Sequence, residues 1–259
     1  MVRLLVSVRS SLEVGQALAG GTDIIDAKEP TRGSLGSVDP DVLDAIAART
    51  PATIPLSAAL GDVRSRSVID REVRRLATLR PAGDLFLKLG FAGVSTEPIV
   101  GELLAAATAA ASEFERPPAL IAVAYADWSR AHAPSPDLVL RACAAAGFSG
   151  VLLDTSAKDG GDLFSLMTES AVGSWIRDAH DRSLLAAVAG SLDAGAIARL
   201  RDLGPDVVGV RGAACECGRL GRVAASRVRA LRLAATGCHD GWGSALPAKR
   251  QTKAPIPLP

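Results

Sequence analysis

Along the first 235 residues, short runs that are apolar from end to end alternate with longer segments whose apolar positions recur every three or four residues. Strands sealed on both faces read this way, so the pattern predicts parallel βα units rather than a half-exposed antiparallel sheet. The predicted strands are Arg3–Val8, Thr22–Ala27, Thr53–Ala58, Leu85–Leu89, Leu120–Ala126, Gly150–Asp154, Leu184–Ala189 and Val207–Arg211. Helical segments fall between them, at Ser11–Ala19, Pro40–Ala48, Glu97–Ala111, Asp137–Ala146, Leu163–Arg177 and Asp193–Leu203. Ser10, Asp39 and Ser191 stand where an N-cap accepts free amide protons. Gly20, Gly147 and Gly204 stand where a left-handed residue closes a helix.

Eight such units predict a single (β/α)8 TIM barrel of the α/β class, and the 259 residues suit a fold that typically needs about 250. An open doubly wound sheet is the alternative, yet no Gly-x-Gly-x-x-Gly follows the first strand, where a dinucleotide site is expected. After Thr236 the period stops, and Gly237–Pro259 is rich in Gly, Pro and Lys. The chain therefore divides into a catalytic domain over 1–236 and a flexible C-terminal tail over 237–259.

Composition narrows the partners. With 48% hydrophobic and 22% charged residues the chain can bury a large core. A net charge of +1 and 3% aromatics argue against nucleic acid. The apolar run from Leu103 to Ala111 falls far short of the roughly 20 residues that span a bilayer. No signal-peptide pattern precedes the first strand, so the expectation is a cytoplasmic protein with thiol cysteines and no membrane contact. Cys215-Glu216-Cys217 and Cys238-His239 offer sulfur and imidazole, but their spacing matches no familiar zinc framework, so no metal is expected.

Only five of the 29 basic residues are lysines, and two of these, Lys249 and Lys253, lie in the tail. The other three, Lys28, Lys88 and Lys158, follow or end predicted strands two, four and six, at the catalytic face of a barrel. Arginine stays protonated, whereas lysine serves as nucleophile or base once its pKa falls. At an ordinary pKa of about 10.4, only about one lysine in a few thousand is a free amine at pH 7. Crowding by like charges is expected to raise that fraction. Asp26 shares the strand face of Lys28, Asp154 ends strand six and Arg211 ends strand eight. The loops Ala189-Gly190-Ser191-Leu192 and Arg211-Gly212-Ala213-Ala214 follow strands seven and eight, where barrels commonly hold phosphate. Gly190, Ser191, Arg211 and Gly212 are therefore phosphate-binding candidates for an anionic sugar or triose phosphate.

The segments Asp26-Ala27-Lys28-Glu29-Pro30 with Gly33-Ser34-Leu35-Gly36, Lys88-Leu89-Gly90, Asp154-Thr155 with Lys158, and Val210-Arg211-Gly212-Ala213 resemble the (5-formylfuran-3-yl)methyl phosphate synthase family over residues 2 to 234. The resemblance implies a barrel enzyme condensing two glyceraldehyde 3-phosphate molecules into a furan aldehyde phosphate, with loss of one phosphate and two waters, for methanofuran-type carriers. It implies Lys28 as the Schiff-base lysine, Lys88 as proton acceptor, and Asp26, Asp154 and Lys158 as further active-site residues, with no cofactor. A homo-oligomer is compatible with this reading. The Cys215-Glu216-Cys217 loop and the tail depart from what the family leads one to expect. Two other readings remain at this point: a class I aldolase acting on another phosphorylated sugar, and a non-catalytic barrel that binds a phosphorylated metabolite.

Overall fold

In the computed structural model, residues 1–237 are described apart from 77, 78, 80, 95, 159 and 160. Eight parallel strands close into a ring in chain order: β1 (Arg3–Val8), β2 (Ile24–Ala27), β3 (Leu56–Asp62), β4 (Leu85–Gly90), β5 (Ala119–Tyr125), β6 (Gly150–Asp154), β7 (Leu185–Val188) and β8 (Val207–Val210), with β8 pairing back onto β1. Around it run α1 (Ser11–Ala19), α2 (Pro40–Arg49), α3 (Arg66–Leu76), α4 (Glu97–Ala111), α5 (Pro136–Ala145), α6 (Leu163–Leu166), α7 (Glu169–Asp181), α8 (Ala194–Leu203) and α9 (Ala225–Thr236). This is the predicted (β/α)8 barrel. The predicted tail, beyond Gly237, lies outside the described residues.

Because side chains alternate along a strand, each strand feeds two cores. Outward residues such as Leu4, Val6, Leu87, Leu89, Val151 and Leu153 join the helices in one continuous apolar shell. Inward residues such as Ile24, Ile121, Val123, Leu152, Ala187 and Val207 form a smaller cluster inside the ring.

Several predicted boundaries shift for local reasons. The third strand starts at Leu56 rather than Thr53, since Pro55 has no amide proton to donate, and it continues to Asp62 through an irregularity between Ala59 and Gly61. The predicted helix Leu163–Arg177 is two helices, because the Thr168 hydroxyl accepts from Ala171 N at 3.2 Å and starts α7 afresh. Of the predicted caps, Ser10 and Asp39 make no side-chain cap bond. Asp193, not Ser191, caps α8, accepting from Ala196 N at 2.8 Å. Gly147 and Gly204 are left-handed as expected, but Gly20 is right-handed and the positive φ passes to Gly21.

Candidate active site

A cavity of about 380 Å³ opens where the strands end, and its floor lies inside the ring. It is lined by every candidate from the sequence: Asp26, Lys28, Lys88, Asp154, Lys158, Gly190, Ser191, Arg211 and Gly212. Its floor is apolar, with Leu5, Ile24, Phe86, Ile121, Leu152 and Val207, so the charged ring stands above a hydrocarbon base.

The three lysines are not equivalent. Lys88 is buried and donates to Asp26 Oδ1 at 2.6 Å, while Ser7 Oγ donates to Asp26 Oδ2 at 2.7 Å. Lys158 donates to Asp154 Oδ1 at 2.7 Å, to Thr155 O at 2.6 Å and to Thr155 Oγ1 at 3.0 Å, which uses all three ammonium protons. The loop carrying Lys158 is fixed from β5's side, since the Asp127 carboxylate accepts from Ser156 N at 2.6 Å and Ala157 N at 2.8 Å. Lys28 is also buried, yet among the described residues its amine makes no side-chain hydrogen bond or ion pair.

Burial lowers the Lys28 pKa to about 8; Asp154 opposes the shift, Lys158 and Lys88 add to it, and Asp26 opposes it weakly. The direction matches the sequence expectation, but desolvation rather than crowding by cations is the main cause. Burial pushes Asp154 upward, but Lys158, Lys28 and the Thr155 amide outweigh it and hold the carboxyl below its ordinary value. At pH 7 a pKa of about 8 leaves about one Lys28 in ten as the free amine, far more than an ordinary lysine, beside an ionised Asp154 carboxylate, as nucleophilic and acid–base chemistry on one substrate requires.

Loops seven and eight lie where they were expected. Gly190 has φ +116° and Ser191 φ +54°, a backbone bend at the rim. Arg211 differs from expectation. Its guanidinium is buried and fully committed, with Nε on Arg219 O at 3.1 Å, Nη1 on Ser7 O at 2.8 Å and Glu13 Oε2 at 2.8 Å, and Nη2 on Glu13 Oε1 at 3.3 Å and Gly221 O at 3.2 Å. All five donors are spent within the protein, so in this structure Arg211 is a brace rather than an open anion ligand.

Sequence reasoning missed Ser7, Ser57, Glu13 and Arg219. A hydroxyl at an inward position of an otherwise apolar run was the available signal for both serines. Ser57 Oγ is, among the described residues, the buried side-chain polar atom without a hydrogen-bond partner, and it lines the cavity. Beside the site, Ser34 Oγ bonds Tyr125 Oη at 3.2 Å, and the Tyr125 hydroxyl donates to Asp62 Oδ1 at 2.8 Å. A side chain at Gly90 would sit 2.4 Å from Asp62 Oδ1, 2.6 Å from Leu35 Cδ1 and 2.8 Å from Tyr125 Oη, so any larger residue after Lys88-Leu89 has to displace these side chains.

The sequence model of 4-HFC-P synthase matches residues 4–232, nearly the whole barrel. The chain belongs to the 4-HFC-P synthase family. Among family relatives, the (5-formylfuran-3-yl)methyl phosphate synthase of Methanopyrus kandleri is 38% identical over 217 residues, covering 83% of this chain and 90% of that one. The enzyme of the same name from Methanocaldococcus jannaschii is 35% identical over 233 residues, covering 88% and 97%. The fold also resembles phosphoribosylanthranilate isomerase from Thermotoga maritima, with a TM-score of 0.58 at 14% identity over 92% of this chain and 100% of that one. At that identity the likeness speaks for the barrel alone. Among the described residues, no group of three His, Cys, Asp or Glu is placed to hold a metal, and no helix is long and apolar enough to cross a membrane. Cys238 and His239 lie outside the described residues.

Proposed function

We propose that this member of the 4-HFC-P synthase family condenses two molecules of glyceraldehyde 3-phosphate into (5-formylfuran-3-yl)methyl phosphate, releasing one inorganic phosphate and two waters, as a step toward methanofuran-type one-carbon carriers. The observation that carries this reading is the buried, unpaired Lys28 amine with its pKa near 8, beside a Lys88–Asp26 pair. Its family membership supplies the reaction class.

Lys28 Nζ adds to a triose carbonyl and expels water to give an iminium. The iminium acidifies the neighbouring carbon, and Lys88 takes that proton after passing its own to Asp26, 2.6 Å away. The resulting enamine expels phosphate from the next carbon, C3, and through that carbon attacks the C2 carbonyl of a second triose phosphate that has isomerised to the ketose, forming the carbon–carbon bond. The C1 hydroxyl of the second triose closes onto the C2 carbonyl of the first, and loss of two waters gives the furan. Hydrolysis of the iminium takes up one water, matching the one expelled when it formed, and frees Lys28. The sum is redox-neutral, so no external oxidant or reductant enters, and Asp154 with Lys158 forms the second proton-handling pair.

Purified protein incubated with glyceraldehyde 3-phosphate is expected to yield a product with the mass and ultraviolet absorbance of a furan aldehyde phosphate. Borohydride is expected to fix a triose onto the Lys28 peptide. An aldol adduct without the furan chromophore would favour an aldolase instead, and an untouched Lys28 peptide would remove the iminium.

A further inference from the structure

Five cations converge on the mouth: Lys28, Lys88, Lys158, Arg211 and Arg219. Three are neutralised in ion pairs, Lys88 with Asp26 at 2.6 Å, Lys158 with Asp154 at 2.7 Å and Arg211 with Glu13 at 2.8 Å. Among the described residues, Lys28 and Arg219 have no carboxylate within ion-pair distance. One of these unpaired cations is the amine assigned above to the carbonyl.

Arg219 is held in place by a device that the sequence did not announce. Residues 215 to 223 form a hairpin over the mouth: Cys215 pairs antiparallel with Val223, Glu216 N donates to Arg222 O at 2.9 Å, and Gly221 N donates to Gly218 O at 2.9 Å. A side chain at Gly221 would lie 1.5 Å from Glu216 O, so only glycine permits this turn. From below, Arg211 donates to the carbonyls of Arg219 and Gly221. The Arg219 guanidinium then reaches across to the β2–α2 loop and donates one Nη2 proton to Gly33 O at 2.6 Å. The rest of its fork has no protein acceptor among the described residues, and the residue lines the cavity. Burial draws its pKa below the ordinary arginine value, with Asp154 opposing and Arg211 adding to the shift. An arginine remains charged under such a shift.

We propose that Arg219 is the phosphate ligand of this site, its guanidinium receiving the phosphoryl oxygens of a triose phosphate whose carbonyl faces Lys28, and that Arg211 is a positioning residue that aims it. The planar fork suits a phosphate's paired oxygens, and a dianion there fills the one charge vacancy that the internal ion pairs leave beyond Lys28. This assignment rests on the phosphorylated-triose reading given above.

The test compares the full-length chain with Arg219→Ala and Arg219→Lys, using borohydride trapping with glyceraldehyde 3-phosphate and with unphosphorylated glyceraldehyde. Arg219→Ala is expected to raise the half-saturating concentration of the phosphorylated aldehyde by about ten- to a hundredfold, the worth of one or two charge-assisted hydrogen bonds, and Arg219→Lys to restore part of it. Trapping by glyceraldehyde should change by less than about twofold, since no phosphate is there to lose. Inorganic phosphate should inhibit trapping in the wild-type chain and lose potency in Arg219→Ala. Equal weakening for both aldehydes, or unchanged phosphate inhibition, overturns the assignment. If neither aldehyde is trapped by the wild-type chain, the Lys28 reading fails, and calorimetric titration with inorganic phosphate decides Arg219 alone. Binding lost in Arg219→Ala then sustains it, and equal binding refutes it.

Discussion

Leu152 and Leu153 are neighbours on β6 that point to opposite faces. Leu153 is buried in the apolar shell beneath the helices, whereas Leu152 lines the cavity within the ring. The shell is apolar throughout; the interior is partly hollow and carries ion pairs and, among the described residues, an unpaired amine and an unsatisfied hydroxyl. Stability is thus concentrated outside the strands and chemistry inside, at the distance of one peptide unit. A barrel can hold costly groups at its mouth because its folding energy is drawn from another surface.

The contrast can be broken in steps. The largest loss is expected from Arg211→Met, which removes the buried partner of the Glu13 carboxylate, leaving it the Arg9 amide at 2.9 Å and the Arg9 guanidinium at 3.8 Å, and unpins the hairpin, costing about 3–5 kcal/mol in denaturant titration. An unchanged midpoint would show that the brace is dispensable. Next, Leu153→Ala should cost about 2–5 kcal/mol, while Leu152→Ala falls at or below the bottom of that range because it widens an existing void. Equal costs would erase the distinction between the two faces.

Lys28→Met is expected to do the opposite of a core mutation. Activity and trapping vanish, but stability at pH 7 rises by up to roughly 3 kcal/mol, since the wild type bears the cost of a buried ammonium. The folded pKa of about 8 lies below the unfolded value, so this penalty is fully present below pH 8 and disappears as pH rises toward 10.5. Urea midpoints of the two proteins should therefore converge across that window, and a constant difference would contradict the assignment. Activity in the wild type should climb as pH approaches 8 and then level. The smallest effect is expected from Ser57→Ala, within about 1 kcal/mol, because among the described residues the hydroxyl has no partner to lose. A large loss of stability would reveal a partner for it.

The sequence carried much of this architecture, and the reason is geometric. Continuous apolar runs such as Leu120 to Ala124 arise only where both faces of a strand are covered, so the eight units could be read one at a time. The lysines stood out because their strands end at one rim. What escaped depended on partners remote in sequence. Arg211 was read as an open cation because its acceptor, Glu13, is 198 residues away in α1. Arg219 sits in a nine-residue hairpin with no apolar period, and its placement follows from Arg211 and Gly33 rather than from local propensity. The start of β3 and the break before α7 each turned on one residue, Pro55 and Thr168, whose local chemistry overrode an otherwise smooth pattern.

The Arg211–Glu13 pair also has a bearing on assembly. Seven of the eight strand pairings join consecutive βα units, but β8 meets β1 with nearly the entire polypeptide between them. Arg211 reaches over that seam, gripping Ser7 O on β1's end and the carboxylate of the following helix. The same side chain that trains the hairpin on the mouth is thus the rivet of the ring's last joint, so a productive mouth exists only in molecules whose circle has already shut.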